Sequence, residues 1–215
     1  ILERTGALQR MGSTDSGTTV ADSSQEARQF KMSVEASVAT TQFMGDSYTF
    51  IDCPGSVDFL HEMRNILPAV DAAGVVCEAD EKKVPALQLI LRELEDQKIP
   101  RFLFLNKIDG DNQKVREVLP MLQPASRLPL LIRQIPIWKN GVAVGYIDLA
   151  LERAFIYQEH AASKVVEIPP DELIREKEAR YSMLERLSDH DDALMEQLLE
   201  EVEPPRDRVF DDLAH

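Results

Sequence analysis

The 215-residue chain carries 38 Asp and Glu against 24 Lys and Arg, a net charge of −14, which argues against a domain that coats DNA or RNA through a basic surface of its own. Hydrophobic residues make up 44%, as in a soluble globular protein, and no apolar run approaches membrane-spanning length. There is no signal-peptide pattern, so the cytoplasm is the default compartment.

In chain order, Ile1 to Gln9 resembles the end of a helix that stops near Gly6. Residues 11–31 are polar, rich in Ser, Thr and Gly, and without period, which is the signature of a surface loop. Val38 to Phe43 and Ser47 to Asp52, separated by Met44-Gly45-Asp46, predict an antiparallel hairpin. A helix follows with Phe59, Met63, Ile66 and Leu67 on one face, ending before Pro68. The short apolar run Ala73 to Glu78 suits a strand of a parallel sheet covered on both faces. Leu87, Ile90, Leu91 and Leu94 form a helical stripe, Pro100 opens the strand Phe102 to Leu105, and Val115, Val118, Leu119 and Leu122 mark another helix. This strand–helix alternation predicts a doubly wound α/β sheet.

From Arg127 the grammar changes. Leu128 to Trp138 and Val142 to Asp148 are strand-like about a Lys139-Asn140-Gly141 turn. Two acidic helices follow at roughly 171–187 and 191–202, the second capped near Ser188 or Asp189. Leu173, Tyr181, Leu184, Leu194, Leu198 and Val202 supply their core faces. Cys53 and Cys77, on or beside predicted buried strands, are packing residues rather than a disulfide or metal pair. The four histidines form no ligand spacing.

Two motifs carry chemistry. In Asp52-Cys53-Pro54-Gly55 an aspartate at a strand end can hold a metal ion, directly or through water. The glycine three residues on lets a backbone N–H approach a terminal phosphate with no side chain in the way. By itself this is also an ordinary strand-to-helix connection. In Asn106-Lys107-Ile108-Asp109 a carboxylate can accept both adjacent N–H donors of guanine's Watson–Crick edge, a pair that adenine lacks. Lys107 can lay its methylene stem along a base, and Asn106 can tie the loop to the phosphate side. The second motif could alternatively be a polar cap where a strand stops. The two in this order, each at the C-terminal end of a predicted strand, favour a nucleotide site.

With these motifs the chain resembles the GTPase region of translational GTPases, specifically of bacterial elongation factor G-like proteins, from about Gly6 to about Asp211. The resemblance implies a P-loop GTPase-type doubly wound α/β core at residues 1–126 and an inserted α+β subdomain at 127–215. It implies GTP and Mg²⁺ as cofactors, with Asp52 holding the metal's water shell, Gly55 sensing γ-phosphate, and Asn106, Lys107 and Asp109 selecting guanine. Residues 11–31 correspond to the first switch loop. Ser33 falls where the family has a metal-binding threonine, although Lys31 stands where that motif has glycine. Ser56 occupies the place of the histidine that orients the attacking water. The implied partner is the ribosome, reached through protein contacts or regions outside these residues, with neither DNA nor membrane involved.

No Gly-x-x-x-x-Gly-Lys-Ser/Thr sequence occurs among the 215 residues, nor the family's last guanine-contacting Ser-Ala loop. The resemblance therefore implies an incomplete sheet, a piece lacking a segment at each end, and little activity for these residues alone. Ser56 also keeps open a second class, a non-catalytic GTPase-like module that docks on the ribosome.

Overall fold

The computed structural model describes residues 1–13, 15–108, 115–158, 161–189 and 191–214, the side chains of 115, 116 and 214 excepted. It forms two compact units, Ile1–Ala73 with Glu93–Ile99, and Gly74–Arg92 with Pro100–His215. Each is described by itself.

In the first unit, residues 1–9 make turns rather than the expected helix end. Thr5 N–H reaches the Ile1 carbonyl at 3.0 Å, and Gly6 then turns the chain at φ 80°. The Thr5 hydroxyl meets that of Thr41 at 2.5 Å, which ties this segment to the first sheet. Inside the expected loop lies a short helix, α1 (Gln25–Phe30). Ser24 caps it by accepting from Ala27 N–H at 3.1 Å, and Lys31 ends it in the left-handed region at φ 53°. A helix of six residues is too short to show a period, so only the serine cap betrayed it.

The hairpin is as the pattern predicts. Strands β1 (Ser37–Phe43) and β2 (Asp46–Asp52) pair antiparallel with Thr40 opposite Thr49. Met44 and Gly45, both at positive φ (53° and 95°), form the tight two-residue connection that matches strand twist. After Gly55 come a 3₁₀ turn (Val57–Phe59), helix α2 (Leu60–Ile66) and a second 3₁₀ turn (Leu67–Ala69) that contains Pro68. Leu67 is the buried anchor of this face.

The second unit opens with strand β3 (Ala73–Glu78), which hydrogen-bonds to β4 (Arg101–Asn106). Helix α3 (Val84–Asp96) connects them and buries Leu87, Leu91 and Leu94, one per turn. Helix α4 (Val115–Leu122) follows, with Val118 and Leu122 buried. The expectation that both sheet faces are covered is corrected: Val76, Phe102 and Phe104 are 65%, 68% and 64% exposed. The β1–β2 and β3–β4 pairs are separate two-stranded sheets.

Residues 134–166 build a four-stranded antiparallel sheet in the order β5 (Gln134–Lys139), β6 (Val142–Asp148), β7 (Arg153–Gln158), β8 (Ala161–Val166). Ile135, Ile147, Ala154 and Val166 stand side by side across it and face the helices. Helices α5 (Leu173–Ser188), α6 (Asp192–Leu199) and α7 (Arg206–Ala214) close that core.

Several expectations change here. The first strand begins at Gln134, not Leu128. β7, β8 and α7 were not foreseen. The cap of α6 is Asp191, which accepts from Ala193 and Leu194 N–H, rather than Ser188 or Asp189. Leu184, Leu194 and Leu198 pack in the core as expected, but Leu173, Tyr181 and Val202 are exposed, and Ala179, Met183 and Leu187 take the inner positions of α5. The buried stripe of α5 thus runs through Ala179, Met183, Leu184 and Leu187 and leaves the larger Tyr181 outside.

Candidate guanine-nucleotide site

The first unit gathers the residues expected to serve phosphate and metal. Asp52 ends β2 and, with Ser33, Thr19, Asp22, Ser37, Phe50 and others, lines a cavity of about 350 Å³. Asp22 is buried within its wall. The Thr19 hydroxyl donates to its Oδ2 at 2.6 Å and the Thr19 N–H at 2.9 Å, which holds the carboxyl below its ordinary range. The loop bearing Ser33 is pinned on its far side: Ser23 Oγ donates to Glu35 at 3.0 Å, and Ala36 N–H reaches Glu62 of α2 at 3.4 Å.

Asp52 has solvent on one side and packed protein on the other. The protein side disfavours the charged form, so its pKa is raised by desolvation. An oxygen pair made of a carboxylate and a hydroxyl, lining one cavity, is the hard donor set that Mg²⁺ takes while keeping several waters. Ser33 and Asp52 are donors of the type that this ion takes. Among the described residues no group of three or more His, Cys, Asp or Glu side chains is arranged to hold a metal. Cys53 and Cys77 are both free thiols, and burial pushes each thiol up.

Gly55 is exposed, and a Cβ built on it meets nothing within 4 Å. Packing among the described residues therefore does not require glycine there. Ser56 is the cap of the 3₁₀ turn: its Oγ accepts from Asp58 N–H at 3.4 Å and faces Asp58 Oδ2 at 3.3 Å.

The second unit holds the residues expected to read the base. Asn106 is the last residue of β4, and Lys107 follows it in the left-handed region at φ 56°. A non-glycine residue in that region marks a bend held by its surroundings. Lys107 Nζ lies 2.6 Å from Oε1 of Glu78, the end of the neighbouring strand, and Lys83 Nζ lies 2.6 Å from Oε2. The two hydrogen bonds pull the Glu78 carboxyl down to about 2. Asp109 lies outside the described residues. Sequence reasoning missed Glu78; its only signal was a lone acid at the end of an apolar strand.

Residues 1–202 match the family described as the elongation factor Tu GTP binding domain. The chain is 41% identical over 209 residues to an "Elongation factor G-like protein" of Synechocystis sp., an alignment covering 97% of this chain and 31% of that protein. It is 28% identical over 209 residues to "Elongation factor G 2" of Syntrophomonas wolfei, covering 95% and 30%. A crystal structure of a Thermus thermophilus protein superposes with a TM-score of 0.82 at 29% identity, over 98% of this chain and 32% of that one. The chain thus spans about 31% of the length of the first of these relatives. With strand-end Asp52 and Asn106 in place and a match over residues 1–202, the chain belongs to the elongation factor Tu GTP-binding domain family.

Proposed function

We propose that this chain is the GTP-binding part of an elongation factor G-like translational GTPase that couples GTP hydrolysis to a ribosomal step of protein synthesis in the cytoplasm. One observation supports the reading beyond family membership: Ser33 and Asp52 come from separate segments yet line one cavity, as a metal-binding pair would.

In this reading Asp52 and Ser33 hold hydrated Mg²⁺, and Gly55 offers its N–H to the γ-phosphate. Asn106, Lys107 and Asp109 select guanine, residues 1–126 form the nucleotide-binding core, and residues 127–215 form an inserted subdomain. Mg²⁺, when bound, supplies charge stabilisation to an in-line attack of water on the phosphoryl group. The protein's share is to place the phosphate, admit one water and exclude others. Ribosome contact is assigned to protein surfaces, in keeping with the net charge of −14.

Ser56 favours a second reading, a GTPase-like module that binds the ribosome without turnover, because its hydroxyl is already engaged in capping the turn at Asp58. The separating experiment is GTP hydrolysis by the intact protein with and without ribosomes. Multiple turnovers that require ribosomes support the enzyme. Binding of GTP and ribosomes without phosphate release supports the module.

A further inference from the structure

The Lys107 ammonium contacts a carboxylate that no nucleotide motif includes. Glu78 closes β3, and its two oxygens are divided between two cations, Oε1 to Lys107 and Oε2 to Lys83, each at 2.6 Å. Lys83 is itself fixed: it ends the 3₁₀ turn Glu81–Lys83, which Asp80 caps by accepting from Lys82 N–H at 3.0 Å. The carboxylate therefore cannot rotate away from Lys107 without breaking its bond to Lys83. At the other end, the left-handed bend at φ 56° sets where the Lys107 side chain leaves β4. Lys107 is anchored at its backbone and at its nitrogen, and the four methylenes between are left open, the side chain being 69% exposed.

An exposed ion pair of this kind adds little to folding. What it does is remove the rotamer freedom of a lysine stem, so that a flat apolar surface stands ready for a ring to lie against. We propose that Glu78 is a positioning residue for guanine-nucleotide binding, holding Lys107 extended so that its stem is preformed for the base. This rests on the assignment of Lys107 to the base. Lys83 is the brace that keeps the Glu78 carboxylate in place.

The test is a double-mutant cycle in the intact protein, read as affinity for a fluorescent GDP analogue. Glu78→Gln should weaken binding about three- to fivefold, the scale of a half-exposed ion pair. Lys107→Met should weaken it at least as much, and the double variant should be no weaker than Lys107→Met alone. The coupling in affinity is the readout that a merely structural role would not move, and carbon-13 shifts of the Glu78 carboxyl show whether the pair survives binding. With GDP bound, Glu78 should still titrate as low as in the free protein, because the pair persists under the base. Unchanged affinity in Glu78→Gln, additive losses in the double variant, or an upward shift of Glu78 on GDP binding would each overturn the proposal while leaving the guanine assignment intact. Failure of the wild-type protein to bind GDP would instead overturn the guanine assignment, and this proposal with it.

Discussion

Arg133 and Asp148 are joined by two parallel hydrogen bonds, Nε to Oδ1 at 3.0 Å and Nη2 to Oδ2 at 3.2 Å. The same buried carboxylate accepts from Ala150 and Leu151 N–H at 3.1 and 2.9 Å, so it also folds the turn from β6 into β7. On its other side the Arg133 guanidinium lies 4.9 Å above the Phe210 ring of α7. Asp148→Ala leaves an arginine without its partner and two turn amides without an acceptor. The loss should be about 3 kcal/mol of stability, read as a lower urea midpoint for the second unit, and Arg133→Lys should recover only part of what Arg133→Ala loses.

Gly55→Ala should separate folding from phosphate sensing. Open space surrounds the position and its φ is not positive, so the thermal midpoint should stay within about 1 °C of wild type. A methyl group beside the exposed N–H should nonetheless weaken binding of a non-hydrolysable GTP analogue about tenfold while leaving GDP affinity unchanged. A large drop in melting temperature would mean that the glycine serves the fold.

Glu78 should make stability depend weakly on pH at the acid end, as solvent screening of an exposed pair keeps the effect small. Its folded pKa of about 2 lies below the ordinary value of 4.5, so the folded state binds the proton less tightly than the unfolded chain. The contribution is fully present above pH 4.5 and is lost as pH falls through about 2. Denaturation curves of Glu78→Gln should show a shallower acid limb than wild type in that window and the same slope near neutrality.

Asp109→Asn should convert base preference in the intact protein from GTP toward XTP. The substitution removes the acceptor for two guanine N–H groups and supplies donors that suit the xanthine oxygen. Competition between the two triphosphates should shift by about tenfold or more. Retained wild-type affinity for GTP would make Asp109 a strand cap and nothing else.

Ser56→His should raise ribosome-stimulated hydrolysis at saturating GTP. An imidazole reaches further than a hydroxyl and can polarise the attacking water, a contribution of about 10²–10⁴ in rate. The serine is occupied instead by Asp58. A serine enzyme that already turns over rapidly, and that histidine slows, would show that water is positioned by another group.

Local pattern was enough to place the hairpin, α3, the strands that end at Asp52 and Asn106, and the order of the two motifs, because each is set within a few residues by alternation, helical period or a turn glycine. It was not enough for β7 and β8. The turn before β7 contains neither glycine nor proline; Glu152 takes φ 53° and Asp148 supplies the acceptor for the turn amides from the preceding strand. Nor could it place the core side of α5, where partners distant in sequence favour Met183 and Leu187 over the larger Tyr181. The same holds at the site. Ser33 and Asp52 were legible one by one, but only the fold lines one cavity with both. Glu78 meets Lys107 because β3 and β4 are hydrogen-bonded neighbours, a contact that separation along the chain conceals and that strand pairing makes.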